Sequence, residues 1–256
     1  MYIDTHAHLD FEQFDEDREK VVQRAIQNNV SAIITIGTNP ASSHASVKLA
    51  DKFAIVHAAV GIHPNDCQGL DLSVLDEMRR LAVENRAVAI GEIGLDYYHS
   101  VSEKEKQQVF FREQLRLARD LHLPVIVHNR DAHEDAFRIL REEKASNTGV
   151  VLHSFSGTVD FLDTVLAQNI YVSFTGVVTF KNANYFRLID RVPVDQLLLE
   201  TDSPFLAPVP FRGKRNEPGY VRYSAEKIAQ VKGLPAEELG QRTTDNAVSL
   251  FQLKLK

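Results

Sequence analysis

His6 and His8 stand one residue apart in the stretch DTHAH, close to the start of the chain. On a β-strand that spacing puts both rings on one face, where two neutral imidazoles can share one metal ion. Other residues of the same chemistry are scattered far downstream. They are His63 in GIHP, Glu92 in GEIGLD, His128 with Arg130 in VHNRD, His153 in HSFSG, and Glu200 with Asp202 in ETDSP. Taken singly, each is weak. A lone histidine at a strand end is more often a hydrogen-bonded core or rim residue than a ligand, and ETDSP alone could cap a helix. Taken together, they amount to four or more histidines and two or three carboxylates. That exceeds the three protein ligands of a usual single catalytic zinc. Two ions about 3.5–4 Å apart need a bridging carboxylate and about that many ligands.

The elements that must position these residues follow from hydropathy. Short β-branched runs alternate with segments of helical period. Strands are expected at 2–4, 32–37, 55–60, 87–91, 124–128, 150–153, 170–174 and 197–201. They are apolar throughout, as in strands buried on both faces of a parallel sheet. Helical patterns lie between them. One covers 102–121, where Ser102 and Glu105 form a capping-box pattern; another starts at Ser73, and a late one places Pro235 in its first turn. Eight strand–helix units in 256 residues predict an α/β chain folded as one (β/α)8 barrel over 1–256. A doubly wound open sheet is the competing architecture, but DTHAH is not the Gly-rich loop that fold usually carries after its first strand.

Active sites of such barrels sit at the C-terminal ends of the strands. His6 and His8 follow strand 1, His63 strand 3, Glu92 strand 4, His128 strand 5, His153 strand 6 and Asp202 strand 8. Of the remaining histidines, His44, His122 and His133 fall in helical or connecting segments, His57 lies inside strand 3, and His99 follows Tyr98. Strands 1 and 8 are neighbours in a closed barrel, so His6, His8 and Asp202 are expected on one ion. Adjacent strands 5 and 6 place His128 and His153 on the other, with Glu92 as the bridge.

Bulk properties narrow the class. The net charge of −6 opposes an extended nonspecific nucleic-acid footprint. It does not oppose an enzyme that grips phosphate through metal ions. No apolar run approaches the roughly 20 residues of a membrane span. The first residues lack a secretory pattern, and Cys67 is the single cysteine. A cytoplasmic location, no membrane association and no obligate protein partner are therefore expected.

DTHAHLD, GIHP, GEIGLDYY, PVIVHNRDA, LHSFSG and LLLETDSPFLAP, in this order and spacing, closely resemble the TatD family of metal-dependent deoxyribonucleases, within the amidohydrolase-like barrels. The resemblance runs from residue 2 to the C-terminal TTDNAVSLF. It implies a (β/α)8 barrel and ligands at His6, His8, Glu92, His128, His153 and Asp202. It also implies phosphodiester hydrolysis by a water activated between two metal ions, with DNA as a transient partner trimmed from its 3′ end when single-stranded or frayed. Asp202 is the expected general base, beside Glu92, and Glu200 is expected to orient it or a ligand. His63 and Arg130 are candidates for contacting phosphate. In the loop 211–221, Arg215 and Tyr220 are candidates for contacting the strand. The resemblance suggests magnesium or manganese for activity, whereas histidine-rich ligation suits bound zinc or nickel. The alternative is hydrolysis of amides, lactones or esters, including aminoacyl-tRNA, on the same scaffold. Many related barrels that cleave C–N bonds carry a metal-bridging lysine at the end of strand 4, where this chain has Glu92.

Overall fold

A computed structural model describes residues 1–99 and 102–255. Eight strands form one parallel sheet in sequence order: β1 (Tyr2–Ala7), β2 (Val30–Ile36), β3 (Val56–Val60), β4 (Ala89–Asp96), β5 (Val125–Arg130), β6 (Val150–Leu152), β7 (Tyr171–Phe174) and β8 (Leu197–Leu199). All eight expected strands are present. Among the described residues the α-helices are α1 (Arg18–Gln27), α2 (Pro40–Lys52), α3 (Val74–Glu84), α4 (Lys104–Leu121), α5 (His133–Glu142), α6 (Val159–Leu166), α7 (Phe186–Arg191), α8 (Val221–Lys232) and α9 (Ala236–Phe251).

Three details differ from expectation. Helix α2 has no apolar stripe to announce it, because its buried face is made mainly of Ser42, Ser43 and Ser46. Helix α4 begins at Lys104 with Glu103 at the N-cap and no side-chain cap; Ser102 is buried before it, so the capping box does not form. Strand β4 runs five residues past its expected end, to Asp96.

The parallel strands are apolar throughout because each is covered twice. Ile3, Ala32, Ile34, Ile36, Ile126 and Val151 cluster with Leu198, and Ala247, Phe251 and Leu253 at the end of the chain pack into the same group. A larger cluster, including Ile33, Phe111, Val127 and Leu199, fills the layer between sheet and helices.

The barrel closes where the unusual residues are. The seam between β1 and the end of β8 is a parallel bridge from Ala7 to Ser203. Asp202 N–H donates to the His6 carbonyl at 2.9 Å, and His8 N–H to the Ser203 carbonyl at 2.8 Å. The Thr5 hydroxyl donates to the Leu199 carbonyl at 3.0 Å. Asp4, fully buried, fastens the same seam: its carboxyl accepts the Thr201 N–H at 2.9 Å and the Thr201 hydroxyl at 2.6 Å. Burial drives the Asp4 carboxyl well above its ordinary range, against the lowering effect of the Thr201 hydrogen bonds. Asp4→Ala leaves two buried donors on Thr201 without a partner. The expected loss is about 2–4 kcal/mol of unfolding free energy, read as a lower urea midpoint. An unchanged midpoint would show that the seam does not depend on Asp4.

Candidate metal centre

Glu92 reaches the mouth through an irregularity in β4, whose register with β5 shifts between Ile90 and Ile93. The two glycines of GEIGLD make that path possible. A Cβ at Gly91 would lie 2.7 Å from the Ile126 Cβ, and one at Gly94, where φ is +135°, would lie 2.0 Å from the His128 carbonyl oxygen. Only glycine permits such an approach between β4 and β5.

The Glu92 carboxylate, nearly excluded from solvent at 3 % exposure, is divided between two groups of side chains. Its Oε2 lies 3.3 Å from His6 Nε2 and 3.7 Å from His8 Nε2. Its Oε1 lies 2.8 Å from His153 Nε2, 2.9 Å from His128 Nδ1 and 3.5 Å from His63 Nε2. Asp202 completes the first group, with Oδ1 3.4 Å from His8 Nε2 and 3.7 Å from His6 Nε2. Asp202 leaves β8 with φ at 55°, a left-handed conformation that aspartate tolerates better than most residues.

The donor atoms fit a pair of metal ions. His6 Nε2 and His8 Nε2 are 3.3 Å apart, so the separations in the first group run from 3.3 to 3.7 Å. A tetrahedron of ligands about 2.0–2.1 Å from an ion has edges of about 3.4 Å. In the second group, His128 Nδ1 and His153 Nε2 face each other at 3.3 Å beside the other Glu92 oxygen.

Hydrogen bonds set the tautomers. His8 Nδ1 lies 3.3 Å from the Ile36 carbonyl, which accepts only if Nδ1 carries the hydrogen; Nε2 then offers its lone pair to the centre. His128 Nε2 lies 3.1 Å from Asp96 Oδ2 and leaves Nδ1 free in the same way. His63 is the reverse. Its Nδ1 accepts the Asn65 N–H at 3.1 Å, so in the neutral ring Nε2 bears the hydrogen and points it toward Glu92. Burial, aided by the neighbouring histidines and opposed by Glu92, pushes His63 down to about 3 and keeps it neutral. It lies within the cluster but is set up as a donor rather than a ligand.

The electrostatics call for cations. Burial opposes the charged form of Glu92, yet the histidines around it, His153 foremost, hold its carboxyl well below the ordinary range. The histidine His153 is driven well above its usual value: burial opposes its charging, and Glu92 and Glu200 override that. His8 and His128 are raised in the same manner, by Asp202 and Glu92 for His8 and by Asp96 and Glu92 for His128. Without metal, protons must supply the positive charge that two buried carboxylates demand.

Glu200 is fully buried and does not meet Asp202. It accepts the Ser154 N–H at 2.6 Å and the Ser173 hydroxyl at 2.7 Å, and its Oε1 lies 3.8 Å from His153 Nδ1. Asp96, which sequence reasoning did not single out, is within hydrogen-bond distance of His128 Nε2 and also accepts from Asn65 and the backbone of Tyr98 and His99. Its only sequence signal is its place four residues after Glu92, at the end of the lengthened β4.

The cluster floors a cleft of about 900 Å³ lined by His8, His63, Glu92, His128, His153 and Asp202. Arg130 stands at its rim with the guanidinium 4.2 Å over the Tyr98 ring. Arg215 and Tyr220 are not brought to the cleft. The Arg215 fork is taken by Asp17 at 2.7 and 2.9 Å and by Glu217 at 3.0 Å, and Tyr220 stacks on Phe211 with ring centres 4.1 Å apart. Arg215 thus ties the loop after β8 to Asp17 at the start of α1, and Tyr220 packs within that loop. The aromatic side chains that do line the cleft are Phe11, Tyr185 and Phe205.

A parallel (β/α)8 barrel with histidines and carboxylates gathered at its C-terminal mouth belongs to the class of metal-dependent hydrolases. Comparison with known proteins narrows this. A family model described as TatD related DNase matches residues 3–252. The chain is 43% identical to an uncharacterized metal-dependent hydrolase, YabD of Bacillus subtilis, over 99% of this chain and 100% of that protein. It is 36% identical to a protein of Pantoea vagans named 3′-5′ ssDNA/RNA exonuclease TatD, over 98% of this chain and 99% of that one. The crystal structure of YJJV, a TatD homologue from Escherichia coli, superposes with a TM-score of 0.92 at 32% identity, over 99% and 98% of the two chains. The chain belongs to the TatD-related DNase family.

Two consequences of the geometry can be measured. Glu92→Gln removes the charge shared by both groups, so metal content by mass spectrometry should fall from two ions per chain to one or none; two tightly held ions in this variant would exclude Glu92 as the bridge. Because His8, His128 and His153 are raised, protons compete for the donor atoms as pH falls. Metal affinity by calorimetry should therefore be weaker at pH 6 than at pH 8, with protons released on binding. Equal affinity at both would show that these rings are not ligands.

Proposed function

We propose that this protein is a two-metal phosphodiesterase that trims single-stranded or frayed DNA from the 3′ end. The observation that carries the reading is Glu92, one carboxylate with each oxygen aimed at a different set of histidines. His6, His8 and Asp202 would hold one divalent ion, His128 and His153 the other, with Glu92 between them. Bound there, such ions polarise phosphoryl oxygens and lower the pKa of water.

The protein's own groups supply the rest. Asp202 borders the cleft beside His8 and is in reach to take a proton from an attacking water. Glu200 and Asp96 position His153 and His128 from behind. The neutral His63 donates its Nε2 hydrogen to a phosphoryl or leaving oxygen, and Arg130 offers its fork to a second phosphate at the rim. The name of the Pantoea relative agrees with this reading and extends it to RNA. Magnesium or manganese would serve turnover, and zinc or nickel could occupy the same histidine-rich site.

Asp202→Asn should keep the fold and lower single-turnover cleavage by about 10²–10⁴-fold. Unchanged single-turnover rates would remove Asp202 as the base. The decisive assay compares 3′-labelled and 5′-labelled single-stranded DNA with magnesium, manganese or EDTA. Early release of 3′-labelled mononucleotide, abolished by EDTA, is expected. Intact DNA alongside hydrolysis of lactones or aminoacyl-tRNA would overturn the nuclease reading.

A further inference from the structure

The two sides of the cleft differ in chemistry. On the side of β4 and β5 the lining is polar, with Asn65, Asp96, His99 and Arg130. The opposite lip is built by the loops after β7 and β8, and there the lining turns apolar, with Val177, Tyr185, Phe205 and Leu206. Phe205 and Leu206 are 46% and 38% exposed, and Val209 further along is 46% exposed. Large apolar side chains open to water beside a charged cluster call for an occupant.

The lip is one surface. The Val209 N–H donates to the Thr179 hydroxyl at 2.8 Å. Gly176 sits so close under the second loop that a Cβ would come 2.4 Å from the Leu206 carbonyl oxygen. Arg212, from the β8 loop, lies 4.6 Å over the Phe180 ring of the β7 loop. At the inner end Phe205 meets Phe11 with ring centres 6.0 Å apart, and Phe11 stacks on His8 at 4.7 Å.

Its outer end is basic in a chain of net charge −6. Arg212, Lys214 and Lys181 are exposed. Among the described residues none of the three is in an ion pair, a state they share with Lys48 and Lys227 on the outer helices; what sets them apart is their grouping at the aromatic lip, where Arg212 lies over the Phe180 ring. An aromatic platform that leads to unpaired cations is the combination that holds a flexible polyanion carrying flat rings.

We infer that this lip is a track for a single nucleic-acid strand, with Phe205 stacking a base beside the metal centre and Arg212, Lys214 and Lys181 following the phosphates outward. The inference rests on the nuclease reading and deepens it. It gives the enzyme a hold on the strand beyond the bond being cut, on a scaffold whose overall charge repels nucleic acid.

The test is binding rather than turnover. A fluorescently labelled, nuclease-resistant phosphorothioate oligothymidine is titrated with manganese-loaded protein and followed by anisotropy. Arg212→Ala with Lys214→Ala should weaken binding about tenfold. It should also flatten the dependence of log affinity on log salt by about 1.4, for two lost phosphate contacts on a single strand. Phe205→Ala should weaken binding about tenfold, the scale of one lost base stack, and Phe205→Trp should restore it. Lys48→Ala with Lys227→Ala, on outer helices, is the charge-matched control and should bind like the wild type. Lip variants that bind like the wild type, a control that loses as much as they do, or a wild type that does not bind would each overturn the track. If the wild type cleaves DNA while the lip variants bind normally, the track fails and the nuclease stands; if it neither cleaves nor binds, both fail.

Discussion

The constraint on which the rest depends is a buried negative charge. Glu92 is almost wholly removed from water, and its surroundings hold it in the ionised form. An ionised carboxylate in that position is tolerable only beside positive charge. The chain surrounds it with histidines rather than arginine or lysine. Imidazole is the side chain that can either carry a proton itself or give way to a metal ion. The site is thus built to exchange protons for cations. For three of the rings, hydrogen bonds from behind decide which nitrogen takes part: the Ile36 carbonyl for His8, Asp96 for His128 and the Asn65 N–H for His63.

Those tautomers separate two roles that distance alone would merge. His63 is nearer Glu92 than His8 is, and atoms of His63, Glu92 and His128 lie close enough together to hold an ion. Yet its Nδ1 is an acceptor, which leaves Nε2 as a donor. A hydrogen-bond donor inside a cluster of acceptors is suited to an anionic ligand. The closing seam has a similar economy. The bonds that join β1 to the end of β8 lie on the backbone of His6, His8 and Asp202 themselves, so closing the barrel and assembling the first group of donors are one event.

The arginines show how position overrides residue type. Arg130 was expected to contact phosphate and Arg215 the strand, since both follow strands at the active-site end. Arg130 faces the cleft over Tyr98. Arg215 finds Asp17 and Glu217 from two separate parts of the chain and holds the β8 loop in place. Nothing near it in the sequence announces Asp17, nearly two hundred residues earlier.

The sequence by itself determined the barrel and the roster of its centre. Eight doubly buried strands are written in continuous apolar runs, and metal-capable side chains fall at the same end of six of them. Because that pattern is local, His6, His8, Glu92, His128, His153 and Asp202 could be named without coordinates. Only the tertiary structure decided what stands behind them and beside them. Helix α2 buries serines instead of an apolar stripe, so the barrel's alternation called for it while its own residues did not mark it. Asp96 reads as an ordinary turn residue until β4 and β5 are paired. Glu200 could serve Asp202 or another member of the cluster; β8 ends before either residue, and Glu200 turns to His153 and Ser173. Second-layer hydrogen bonds and ion pairs join residues distant in the chain, and only packing sets those distances. That is why the members of the cluster were legible and their supports were not.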